Sequence, residues 1–153
     1  MKKLLIAFLS ISVLISACKE EEEPINGGTS PTPTYAFTCK IDGDNFKDND
    51  PLVVVDPSTN VLTIDASDGE STIRIIVYNF STREEGVDIS LNSLTDKAYV
   101  TVGTSSFTNT QSGKINFSEI GSKISGTFNV NCNSLQTFES VVVTEGEFED
   151  LSL

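Results

Sequence analysis

The chain has 153 residues, enough for one modest hydrophobic core. Ten basic residues stand against 22 acidic ones, a net charge of −12 at pH 7, and a surface this acidic argues against nucleic-acid binding and against charge-driven attachment to anionic lipid. Histidine and tryptophan are absent, which removes Ser-His-Asp and Cys-His nucleophiles, ordinary zinc sites and the best sugar-stacking ring.

Met1-Lys2-Lys3 is a short basic start, and Leu4 to Ile15 is an apolar run broken only by Ser10 and Ser12. A membrane-spanning helix needs roughly 20 apolar residues, so this run fits the hydrophobic region of a secretory signal instead. Leu14-Ile15-Ser16-Ala17-Cys18 then has the form of a lipobox. The small residues Ser16 and Ala17 suit a peptidase cleft, and cleavage after Ala17 would leave Cys18 first, to be lipidated on its thiol and acylated on its amine. Each buried CH₂ of such chains contributes about 0.8 kcal/mol, so several chains hold where one does not. An ordinary signal peptide with an incidental cysteine, or an N-terminal transmembrane helix, is the plainer alternative.

Lys19 followed by Glu20 to Glu23 resembles the surface-export signal of Bacteroidota-type lipoproteins. That resemblance implies an outer-membrane, lipid-anchored protein displayed on the cell surface. The alternative is that the glutamates only keep the tether solvated. Loss of residues 1–17 removes Lys2 and Lys3, so eight basic residues face 22 acidic ones and the charge becomes −14. Residues 18–34 continue with Pro24, Asn26-Gly27-Gly28 and Ser30-Pro31-Thr32-Pro33-Thr34, which reads as a stalk with nothing to bury. Residues 35–153 are the expected globular domain.

That domain has no helix-period stretch. Tyr35 to Ile41 alternates with Phe37, Cys39 and Ile41 inward, and Asp42-Gly43 is a hairpin turn signal leading into a return strand around Phe46. Leu52 to Val55, Val61 to Ala66 and Thr72 to Asn79 follow, separated by Asp, Asn, Pro and Gly turns. Ile76 and Tyr78 oppose Ile73, Ile75 and Val77, which predicts a central strand covered on both faces at that end. A charged loop spans Ser81 to Gly86. Val87, Ile89 and Leu91 predict a half-exposed strand, and Lys97 to Val102 predicts another. Gly113 to Phe117 is expected to pair with Lys123 to Cys132. Gln136 to Thr144 and Glu147 to Leu153 are expected to form a last hairpin around Glu145-Gly146. The fold class is therefore all-β: an antiparallel β-sandwich or a flattened β-barrel of roughly 9–12 short strands.

Phe37-Thr38-Cys39-Lys40-Ile41-Asp42-Gly43 with Phe46, Ser125-Gly126-Thr127-Phe128, and Thr144-Glu145-Gly146-Glu147-Phe148 are similar to the opening and closing parts of an uncharacterised family of small surface lipoproteins. The resemblance implies an all-β extracytoplasmic domain of unknown function, and it supplies no catalytic residue.

Cys39 and Cys132 both fall on inward strand phases. They form either a disulfide, if their strands are neighbours in an oxidising compartment, or two buried free thiols. Asp42, Asp44, Asp48 and Asp50, with Asn45 and Asn49 between them, form the densest oxygen cluster and the one candidate for calcium. The EF-hand spacing fails because Phe46 takes a ligand place, and turn chemistry explains the same residues. Glu145, Glu147, Glu149 and Asp150 could supply paired carboxylates for a glycosidase, but a solvated face that discourages edge pairing explains them too. Tyr35, Tyr78, Tyr99 and the phenylalanines could stack sugars, but without tryptophan the platform would be poor, and core packing explains the same rings. No cofactor is expected. The expected function is a non-enzymatic binding or interaction domain for a surface glycan or protein partner. A ligand-free structural component of the envelope and a carboxylate-based glycan hydrolase are the alternatives.

Overall fold

The computed structural model describes residues 35–153. The expected signal peptide, the lipidation site Cys18 and the stalk lie outside the described residues. Eleven strands run through the domain: Phe37–Ile41 (β1), Asp44–Asp48 (β2), Leu52–Asp56 (β3), Val61–Ser67 (β4), Ser71–Tyr78 (β5), Asp88–Ser90 (β6), Lys97–Val102 (β7), Ser105–Phe107 (β8), Asn109–Ile120 (β9), Lys123–Asn133 (β10) and Ser140–Ser152 (β11). A 3-10 turn at Phe80–Thr82 is the only helical element among the described residues.

The strands form two antiparallel sheets, in the orders β2-β1-β11-β10-β9-β6 and β3-β4-β5-β7-β8. Neither closes into a barrel, so the fold is the sandwich. Alternation dictates the core. Phe37, Cys39 and Ile41 point inward from β1, Leu62, Ile64 and Ala66 from β4, and Ile73, Ile75 and Val77 from β5, all buried. The aromatic rings make edge contacts: Phe37 lies 6.0 Å from Phe46, and Phe117 lies 5.7 Å from Phe148 and 5.6 Å from Phe80.

The Asp42-Gly43 turn forms as expected, with φ of 51° and 95°, because a type I′ turn needs both residues in the positive-φ region. Asp42 also extends the sheet. Its backbone N–H donates to the Val142 carbonyl and its Oδ1 accepts from the Val142 N–H, each at 2.8 Å.

Two expectations need correction. Glu145-Gly146 is not a hairpin turn; β11 runs straight through it. Glu145 has φ 52°, and Thr144 and Glu145 together oppose the single residue Asn129, between the pairs Phe128↔Gly146 and Val130↔Val143. A positive φ here makes a bulge rather than a reversal. A second bulge at Glu149 and Asp150 (φ 55°) opposes Ser125, whose Oγ accepts the Asp150 N–H at 3.0 Å. The bulges keep Val141, Val143, Gly146, Phe148 and Leu151 inward and the carboxylates outward. Gly146 is needed because a Cβ there would lie 2.5 Å from the Phe128 ring.

The second correction concerns the far end of β5. Tyr78 is exposed and Ile76 half-buried, so the outer face of that strand is open rather than covered. The two sheets meet instead beside Ala98. Thr110, buried on β9, donates its hydroxyl to the Ala98 carbonyl (2.6 Å) and accepts the Ala98 N–H (3.0 Å), while the Cys132 thiol approaches the same carbonyl at 3.3 Å.

Candidate functional site

The open end of β5 leads into a recess on the described surface. Asn79, at φ 52°, turns the chain out of β5. Phe80 then plugs into the core, and Asn60 grips the turn: its Oδ1 accepts the Ser81 N–H and its Nδ2 donates to the Ser81 hydroxyl, both at 2.9 Å. Arg83 therefore doubles back beneath Tyr78. Its guanidinium donates through Nε (3.1 Å) and Nη2 (2.8 Å) to the Tyr78 carbonyl, and through Nη2 to Asp96 Oδ2 at 2.8 Å. The other Asp96 oxygen accepts the Tyr78 N–H at 2.6 Å. Asp96 is one of three buried polar or charged residues of the described domain. Burial of its charge is tolerable because both oxygens are bonded and the partner is a cation.

Arg83 and Asp96 help line a groove of about 820 Å³. One wall is the Tyr78 ring, with the Lys97 ammonium 5.5 Å from its centroid. Val87, Asp88 and Ser90 line it as well, together with Glu84 and Leu94. Leu94 is pushed 90 % into solvent by a tight turn in which Asn92 Oδ1 accepts the N–H groups of Leu94 and Thr95. Asp88 is held below the ordinary carboxylate range by the Lys114 ammonium and then by the Asn116 amide, so it is a charged acceptor and not a proton donor. The groove combines an aromatic face, fixed charges of both signs and two exposed apolar side chains. The volume of the groove lies within the range of small-molecule sites, and such a lining suits an amphipathic molecule.

The other sequence candidates fall elsewhere. Asp42 and Asp44 sit at one end of the β1–β2 hairpin and Asp48 and Asp50 at the other, a full strand apart, or roughly 13 Å at the rise of an antiparallel strand. They cannot share one calcium ion. Asp42 is spent on Val142, and Asp48 accepts the Asp50 and Ser67 N–H groups at 2.9 and 2.7 Å. Among the described residues no group of three His, Cys, Asp or Glu side chains is placed to hold a metal.

Cys39 and Cys132 are both buried and free. The neighbour relation that a bridge requires is not met, because β11 lies between β1 and β10. Cys132 opposes Val141 while Cys39 opposes the Glu145 bulge, so two strand spacings and about four residues separate them, roughly 16 Å, well past the reach of a disulfide. Burial pushes the Cys39 thiol to about 12 and the Cys132 thiol to about 11.

Glu145 pairs with Lys40 at 2.8 Å and Asp150 with Lys123 at 3.1 Å, while Glu147 and Glu149 are exposed on the outer face of the first sheet. The tyrosines do not gather into one platform. Tyr35 lies under Lys47 at the β1–β2 hairpin, Tyr99 lies in a separate groove with Asp65 and Arg74, and Tyr78 alone borders the main groove. Arg83 and Asp96 went unread in the sequence. The one available signal was that the chain has only two arginines, and both prove to be ion-paired.

Residues 33–152 match a family described as a domain of unknown function, DUF6252. The chain belongs to that family. Comparison with curated proteins and with solved structures finds no match. Within this DUF6252 domain, the groove at the end of β5 is the recess lined by the Arg83–Asp96 pair.

Proposed function

We propose that this chain is a lipid-anchored protein of the outer membrane, displayed on the cell surface, whose sandwich binds a ligand in the Tyr78 groove and performs no chemistry on it. The anchor rests on Leu14-Ile15-Ser16-Ala17-Cys18, and surface display rests on Lys19 with Glu20 to Glu23. The binding role rests on one observation above the others: a part-buried Arg83–Asp96 pair lining a groove beside an exposed tyrosine. A sandwich needing only to be stable would gain by packing apolar residues there. The groove offers hydrogen-bond donors, acceptors and a ring, and two of its three carboxylates, Asp88 and Asp96, are held in ion pairs with Lys114 and Arg83.

Mass spectrometry of the isolated protein tests the anchor: a diacylglyceryl group on Cys18 is expected, and a bare thiol or an intact leader overturns it. Protease treatment of live cells tests the display, with full protection the contrary result. A photo-crosslinking side chain at Leu94 tests the groove. It should capture a species on intact cells that is lost in Tyr78→Ala and kept in the remote variant Lys123→Ala. Equal capture by both variants overturns the binding site.

A further inference from the structure

Each sheet of a sandwich ends in edges whose backbone N–H and C=O groups have no strand partner, and such edges are normally blunted by charge or brevity. Three of the four edges here obey that rule. β6 and β8 have three residues each, and β2 carries Asp44, Lys47 and Asp48. β3 does not. It has five residues, Leu-Val-Val-Val-Asp, with Leu52 61 % and Val54 47 % exposed. It pairs only with β4, so every second residue directs its backbone groups to the open side. Among the described residues no backbone hydrogen bond from a turn or loop reaches Leu52 to Val55. Val53 and Val55 pack partly against the core, so the strand is held straight while its edge stays open.

The surroundings specify the occupant. Carboxylates stand at both ends, Asp48 and Asp50 before the strand and Asp56 as its last residue. Pro51 and Pro57 limit the pairable stretch to about five residues, too short to run on into a fibre. A second copy fits poorly. Antiparallel self-pairing centred on Val54 sets Leu52 against Asp56 of the other copy and crowds Asp50 against the same carboxylate, in chains that each carry −12. A strand with basic ends meets no such repulsion.

We propose that β3 is a docking edge that adds an extended segment of a partner protein, with a short alternating run of β-branched residues flanked by lysine or arginine. Main-chain hydrogen bonds would hold it, Leu52 and Val54 would cover its apolar side chains, and the flanking acids would select its charge.

The test uses the full-length protein and an end-blocked peptide, Lys-Lys-Val-Thr-Val-Thr-Val-Lys-Lys. Binding should slow amide hydrogen exchange at Val53 to Val55. A peptide with glutamate at its ends should bind on the order of tenfold more weakly. Proline at the central valine should abolish binding, as should Val54→Lys in the protein, while Val54→Thr should keep it. Equal affinity for the two charge forms, no protection in β3 at saturating peptide, or protection confined to the Tyr78 groove overturns the proposal. So does a concentration-dependent dimer abolished by Val54→Lys, which would make a second copy the occupant. Loss of the groove's own ligand in Tyr78→Ala leaves this peptide result unchanged, so the two sites fail independently.

Discussion

Replacing Asp96 with alanine separates the effect of burial from the effect of contact distance. Arg83–Asp96 and Lys114–Asp88 have the same nitrogen–oxygen separation, 2.8 Å. Their surroundings differ: the side chains are 26 % and 7 % exposed in the first pair and 54 % and 55 % in the second. Removing one partner of a buried pair costs ~3–5 kcal/mol, because the remaining charge stays desolvated. Arg83 keeps about a quarter of its surface in water, which moves the cost toward the low end. The Tyr78 N–H also loses its acceptor, at ~1–3 kcal/mol if no water replaces it. Together these give about 4–6 kcal/mol for Asp96→Ala. Asp88→Ala breaks an exposed pair that water already screens, so it should move the denaturation midpoint far less. Urea denaturation reads both as a shift of midpoint at unchanged slope. Asp96→Asn, which keeps an acceptor for Tyr78, should fall between them. Equal losses for Asp96→Ala and Asp88→Ala would refute the reasoning, and with it the view that Arg83 and Asp96 form a rigid clamp.

Thr110→Val keeps the shape of the side chain but leaves the buried Ala98 N–H without an acceptor, so it should cost ~1–3 kcal/mol, whereas Thr110→Ser, which keeps the hydroxyl, should cost about 1; chemical denaturation of the pair checks the order. Gly146→Ala forces a methyl into the Phe128 ring and should destabilise by ~1–3 kcal/mol, measured in the same way. The thiols should resist a thiol reagent in the native protein and react on unfolding. Their folded pKa values are raised, so their contribution to stability is complete below the unfolded value near 9.0 and is lost as pH rises toward 11 and 12. A Cys39→Ala, Cys132→Ala double variant should therefore lose less stability than the parent between about pH 8 and pH 11 in denaturation curves. A parallel loss in the two proteins would contradict the burial of the thiols.

The all-β fold class, the inward set of β1, β4 and β5 and the Asp42-Gly43 turn were legible in the sequence, because alternation and turn chemistry act between residues a few positions apart. The course of β11 was not. Glu145-Gly146 carries the letters of a turn, and only the Phe128 ring and the facing Asn129 make it a bulge. The same holds for the candidate site. Arg83 and Asp96 are 13 positions apart on a loop and a strand end, with no motif to join them. The spacing of Cys39 and Cys132 gave no sign that β11 would stand between them. By itself the sequence determined the inward set of β1, β4 and β5, since that choice needs only side-chain polarity and a period of two, while whether Ile76 and Tyr78 would be covered was not set by it. Which segments became neighbours, which edge was left bare and where the groove opened were decided by tertiary packing, because those relations depend on strand order, and strand order is set by contacts between residues far apart in the chain.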